Sequence, residues 1–301
     1  MSASNGRFLQ RAIQSNWLRP LLFLILLGVV WDVVIRLFHI PPYQVPKPMD
    51  VLVALRNDGP ELLAQAVPTT IATVQGFLLA AVFGIGIAVL IAGSRTVESY
   101  IYPLLVFSQS IPKIAIAPLF VVWFGFGMMP KVLSAFLLAF FPVVVSAVQG
   151  FKSVEPEMLD LVRAMEAKRF QIFRIASFPH ALPAIFAGLK VSITLAVVGA
   201  VVGEFVGSNS GLGFVLQRSI GNFELPTMFA ALVILSLIGV ILFWIHDPSP
   251  KQRRTYRLID RTVELLDQMI SLASNPLMRP LRRSALRLMS ELREDVSAIA
   301  S

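Results

Sequence analysis

Six apolar runs constrain this chain more than any other feature. They fall at about 18–38, 68–93, 99–124, 130–150, 183–206 and 226–246. Each is close to the roughly 20 residues that a helix needs to cross a bilayer core. In hydrocarbon, every backbone N–H and C=O must be bonded within the protein, so runs of this length pack as helices. Composition agrees: 56% of the 301 residues are hydrophobic and only 15% are charged, against about 25% charged in soluble domains. The expected fold class is an all-α membrane protein with about six transmembrane helices.

The first run follows Arg7, Arg11 and Arg19, as a signal peptide would. It is long, however, and no small-x-small cleavage site closes it, so a retained helix is expected. Residues 1–17 then form a short N-terminal segment, 18–246 the transmembrane domain and 247–301 a tail.

Lysine and arginine set the orientation. With the N-terminus inside, the inner segments carry nineteen of these residues. The outer segments carry four, Lys47, Arg56, Lys131 and Arg218. Both termini are therefore expected in the cytoplasm, in a multi-pass membrane protein. The excess of +8 sits beside apolar runs, which marks membrane topology rather than nucleic-acid binding.

Several features have packing readings. Gly76, Ala80, Gly84, Ala88 and Ala92 recur every four residues and form a stripe that lets a second helix approach closely. Asp32 and Arg36, four apart, suit an ion pair on one helix face. Lys190 lies about two turns into the fifth run, within snorkelling reach of the cytoplasm. Glu204 lies near that run's outer end and is expected at the interface. The third run contains Pro103, Pro112, Lys113 and Pro118, so a kinked or broken helix is expected there.

Chemistry-bearing motifs are absent from the sequence. There is no G-x-x-x-x-G-K-[ST] loop and no H-E-x-x-H. There is no cysteine, and His39, His180 and His246 are far apart. No metal site, catalytic residue or bound cofactor is expected on this chain.

The segment at about 151–182 is different. EPEMLDLVRAMEAKRFQIFRIASFPHALPAIFAG (155–188) is the most charged stretch in the middle of the chain. Glu155, Pro156 and Glu157 suit a helix N-terminus, and Lys168 and Arg169 its C-terminal end. Met158, Leu161, Val162 and Met165 share one apolar face. A second short segment, from Phe170 to Phe178, is expected to end at Pro179, with Pro183 opening the fifth span. These features fit a surface connector and a docking element about equally.

The stretch resembles the cytoplasmic loop of ABC importer permeases, E-A-A-x-x-x-G followed by I-x-L-P. The E-A-A positions fall on Asp160, Leu161 and Val162, and the glycine position on Glu166. I-x-L-P falls on Ala176, Ser177, Phe178 and Pro179. The flanks are closer. SQSIPKIAIAPLFVVWFGFG (108–127), FPVVVSAVQG (141–150), LPAIFAGLKVSITLAVVGAVVGEFVGSNSGLG (182–213) and FAALVILSLIGVIL (229–242) are similar to the nitrate/sulfonate/taurine/bicarbonate branch of these permeases. The resemblance covers about 65–246.

This resemblance implies a type I importer permease fold. It implies a homodimer in the lipid of a bacterial inner membrane, two cytoplasmic ABC ATPase subunits carrying ATP and Mg, and an extracytoplasmic solute-binding protein. It makes 151–182 a coupling helix that engages the ATPase through Glu157, Asp160, Leu161, Val162, Met165, Glu166, Ala167, Lys168, Arg169, Phe170 and Pro179. Candidate pathway residues are Ser108, Gln109, Lys113, Ser192 and Thr194. The branch implies a small anion: nitrate, bicarbonate or a sulfonate such as taurine. Relatives that carry pyrimidine precursors keep an aromatic solute open. A secondary transporter or channel, suggested by the broken third span with Lys113, and an integral membrane enzyme remain as alternatives. The tail is expected to form a cytoplasmic helical extension, with Leu281, Ala285, Leu288, Met289, Leu292 and Val296 on one face.

Overall fold

The computed structural model describes residues 18–154, 158–160, 162 and 168–245. The tail beyond Ile245 and most of the expected coupling helix lie outside the described residues. In chain order the elements are α1 (Leu18–Leu37), α2 (Pro48–Asn57), α3 (Gly59–Gly93) and α4 (Arg95–Gln109). A 3-10 turn (Lys113–Ile116) leads into α5 (Ala117–Phe124), followed by α6 (Met128–Lys152) and α7 (Arg169–Ile172). A π-helical turn (Phe173–Ser177) joins α7 to α8 (Phe178–Gly207), and α9 (Leu212–Gly221) and α10 (Leu225–Ile245) follow.

α3, α6, α10 and the continuous stretch Phe170–Gly207 are each long and apolar enough to cross a membrane. The α4 and Lys113–Phe124 pair provides a further crossing if taken as one broken span. α1 adds an apolar helix of 20 residues, about 30 Å long at 1.5 Å per residue.

The break in the third run has a local cause. Pro112 cannot donate a backbone hydrogen bond and disfavours helical dihedrals at Ile111. The chain closes α4 instead with a tight turn, in which Ser110 N–H donates to Phe107 C=O at 3.1 Å. Pro118 lies in the first turn of α5, and Pro103 stays inside α4 without ending it.

Two boundaries differ from the sequence expectation. The second run starts earlier, because α3 continues through Pro68 back to Gly59. The helix leading into the fifth run does not stop at Pro179, and both Pro179 and Pro183 lie inside α8. The π turn explains the continuity. Phe178 N–H bonds to Phe173 C=O, five residues back. That wider turn shifts the carbonyl that the Pro179 ring would otherwise strike. A short helix, α2, also precedes the second run. It opens with Pro48, and Asp50 accepts a hydrogen bond from Lys47 N–H.

The described chain divides into two units. The first takes residues up to Gly76, Lys113–Leu138 and Leu195–Ile241. Within it, α6 passes close to α3 at Gly76 and close to α8 at Gly199 and Gly203. Ala72, Ala135, Ala196 and Ala200 lie along these elements and are fully buried. The second unit takes Phe77–Pro112, Ala139–Thr194 and the end of α10 from Leu242. Its core is Ala88, Ile91, Leu105, Val144, Val148, Phe151 and Ile185 with their neighbours. Gly84 meets Val143 there, and Ala80 and Ala88 are fully buried. The small-residue stripe of the second run thus serves packing at four of its five positions. Ala92, the fifth, is exposed.

Candidate functional site

In the second unit, the sequence expectation centres on the segment joining α6 to α8. Glu157, Leu161, Met165, Glu166 and Ala167 lie outside the described residues, as does the side chain of Arg169. Of the rest, Asp160, Lys168 and Phe170 are exposed, and Val162 and Pro179 are half-buried. Lys168 N–H donates to the side chain of Gln171 at 2.8 Å, which caps the start of α7. Phe173 turns inward and stacks on Phe151 (5.6 Å between centroids) and Phe178 (5.9 Å). Its neighbours Phe170 and Ile175 face out, 72% and 64% exposed. The π turn is therefore anchored by one aromatic side chain, and with α7 it presents two large apolar ones. His180 adds an anchor, its Nε2 lying 3.2 Å from Ser153 C=O. Beside this turn, Ala92, Gly93, Ser94, Arg95, Ile172, Phe173 and Ser177 line an open groove of about 660 Å³.

The candidate pathway residues have varied settings. Ser192 is fully buried and donates to Ala139 C=O at 2.6 Å. Thr194 is exposed and donates to Val191 C=O one turn back. Ser108 donates to Leu105 C=O, and Gln109 beside it is exposed. Lys113 opens the 3-10 turn and is half-buried. The Asp32–Arg36 pair forms as its spacing requires, at 2.6 Å. Lys190 stacks over the Phe243 ring at 5.0 Å.

The first unit contains a site that the sequence did not assign. Lys131, counted above as an outer surface charge, is 1% exposed. Glu204, expected at the interface, is fully buried. Both expectations are corrected by tertiary packing: the loop after α8 folds back over these residues. Lys131 Nζ lies 3.7 Å from Glu204 Oε1. It donates at shorter range to Ser210 C=O (2.7 Å) and Ser210 Oγ (3.0 Å). Glu204 accepts from Thr69 Oγ1 (2.9 Å) and from Gly213 N–H (2.7 Å). Thr69 Oγ1 in turn accepts from Leu212 N–H (2.9 Å), and Gln65 Oε1 accepts from Gly211 N–H (2.7 Å). Three successive N–H groups at the start of α9 are thus each bonded to a side chain from α3 or α8.

Glycine is required at two points of this knot. Gly211 has φ +106°, and a Cβ there would lie 2.0 Å from Glu204 Oε1. A Cβ on Gly213 would lie 2.7 Å from Glu204 Cβ. The sequence did carry a signal: an acid before a glycine-rich turn, and a lone lysine at the start of the fourth run, both expected at the same end of the bundle. Charges placed within membrane spans are uncommon and tend to be functional.

A profile of the family described as binding-protein-dependent transport system inner membrane component matches residues 53–251. The chain belongs to this family. It is an ABC importer permease. It is 38% identical over 227 residues to the formylaminopyrimidine transport permease protein ThiX of Halalkalibacterium halodurans, covering 75% of this chain and 90% of the relative. It is 32% identical over 226 residues to the taurine transport system permease protein TauC of Escherichia coli, covering 73% and 82%. Among solved structures it is similar to the inward-facing methionine ABC transporter MetNI, with a TM-score of 0.51 and 23% identity over 62% of this chain and 93% of that one. That likeness establishes the permease fold. A profile of the tetracyclin repressor-like C-terminal domain also matches residues 221–288. It overlaps the apolar α10 and covers under half of the chain.

Proposed function

We propose that this permease works as a homodimer with two cytoplasmic ABC ATPase subunits and an extracytoplasmic binding protein, with both of its own termini in the cytoplasm. ATP binding and hydrolysis on the partners drive alternating access through the permease pair. The anchored π turn, with Phe170 and Ile175 facing out, supports a coupling role for the segment between α6 and α8.

For the solute, we propose a small planar nitrogen heterocycle. The supporting observation is the 38% identity, over 90% of its length, to a permease named for formylaminopyrimidine. A sulfonate anion is the second reading, supported by the 32% identity to a taurine permease. The test is to copurify the chain with its genomic neighbours' products, reconstitute the complex and measure which solute stimulates ATP hydrolysis. Stimulation by a formylaminopyrimidine and not by taurine is expected. Stimulation by taurine alone would overturn the heterocycle reading. Solute uptake by this chain without an ATPase would overturn the importer reading as a whole.

A further inference from the structure

We propose that Lys131 and Glu204 are positioning residues for the transport cycle. Together they clamp the 208–213 loop and the N-terminus of α9 against α3, α6 and α8. The inference holds whichever solute is carried.

The geometry points to a clamp rather than to a simple ion pair. The two charged groups are 3.7 Å apart, longer than a charge-assisted hydrogen bond of about 2.7–2.9 Å. Each makes its short bonds to the loop or its support instead. Lys131 holds Ser210 through both C=O and Oγ. Glu204 holds Gly213 N–H directly, and Leu212 N–H through Thr69. The charges are thus matched to the polarity of what they hold. The ammonium meets a carbonyl, and the carboxylate meets the N–H end of a helix. Ser208 completes the turn by accepting from Ser210 N–H and donating to Ser210 C=O.

What the clamp holds is a short helix and the loop that leads into it. α9 spans only 10 residues, too few to be stable by itself. Val215, Leu216 and Ser219 pack inward, whereas Ile220 and the following Phe223 are 51% and 76% exposed. Phe223 has φ +59°, a conformation that bulky residues rarely adopt and that surrounding structure must impose. Beyond the clamp, α9 is held by the burial of Leu212, Val215 and Leu216, and the exposed Arg218–Glu61 pair at 2.8 Å is a contact of the kind that contributes little. Releasing the clamp should therefore loosen α9 and its turn before it unfolds the long helices.

The polarity match yields a discriminating test. If Lys131 and Glu204 only neutralise each other, exchanging them should preserve function. If they clamp the loop, the exchange puts an ammonium against N–H groups and a carboxylate against a carbonyl, and function should fail. The chain has no cysteine, so Ile220→Cys gives a single site for a nitroxide label on α9. The measurements use the assembled permease–ATPase complex in proteoliposomes, with the binding protein, Mg-ATP and whichever of a formylaminopyrimidine or taurine stimulates the parent, comparing label mobility, uptake of that solute and ATP hydrolysis per assembled complex. A single substitution would leave one charge buried and unpaired and risks misfolding. The neutral double variant Lys131→Met with Glu204→Gln avoids that cost and is the primary comparison.

The expected result is a mobile label population absent from the parent, in both the neutral variant and the exchange. ATP-coupled solute uptake should fall about tenfold or more, the equivalent of one hydrogen bond to a charged group. Hydrolysis without solute should persist. Glu204→Asp with Lys131 intact should restore part of the uptake. Two results would overturn the proposal: unchanged label mobility and uptake in the neutral variant, or full function in the exchange. If the neutral variant fails to assemble, the exchange and the Glu204→Asp variant decide between the same alternatives.

Discussion

Replacing Gly199 by alanine should destabilise this permease, although the same change at Gly86 or Gly239 should not. Gly199 lies on α8 against the backbone of α6. An added Cβ would sit 2.5 Å from Ser134 C=O oxygen and 2.6 Å from Ala135 Cα. Non-bonded carbon contacts are comfortable at about 3.5–4.0 Å. The two helices would have to separate by roughly 1 Å, and no side-chain rotation relieves the clash because the obstructing atoms are backbone. Overpacking of this kind costs about 1–3 kcal/mol. Alanine's better helix propensity returns up to about 1 kcal/mol. A net loss of about 1–2 kcal/mol lowers the melting temperature by about 2–8 °C for a domain of this size. The assay is heating of the detergent-purified protein followed by fluorescence-detected size exclusion. Gly86→Ala and Gly239→Ala are the controls, since a Cβ at either meets nothing within 4 Å. They should melt at or slightly above the parent temperature. If Gly199→Ala melts with the controls, the close α6–α8 approach is not what holds these helices together.

Other substitutions probe single contacts. Ser192→Ala removes a buried hydroxyl bonded to Ala139 C=O and should cost about 0.5–1.5 kcal/mol, read as a fall of a few degrees in the same melt. An unchanged melt would mean the bond adds nothing net. Lys152→Met breaks the pair with Glu98 and the stacking on Tyr102, but both charges are at least a third exposed. Its cost should stay below about 1 kcal/mol, and a larger loss in the melt would contradict that screening argument. Glu166→Ala should weaken copurification of the ATPase if Glu166 pairs with a basic partner residue; unchanged association would exclude the pairing. Truncation after Asp247 should alter complex assembly or ATP hydrolysis, and identical values for both would make the tail a passive extension.

The sequence by itself determined the membrane class, the approximate placement of the apolar helices and the break near Pro112. These are legible because a bilayer leaves the backbone one local solution, and because proline acts on its immediate neighbours. The likeness of the 108–127 and 182–213 stretches to importer permeases was legible for the same reason, since it resides in contiguous residues. Two things depended on tertiary structure. The π turn carries the chain past Pro179 into α8, and its five-residue bond leaves no mark in hydropathy. The burial of Lys131 and Glu204 was hidden because their partners are distant in the chain. Thr69 is 135 residues from Glu204, and Ser210 is 79 from Lys131. A charge at the end of an apolar run reads as interfacial until a returning loop covers it, and only the packed chain shows that the loop returns.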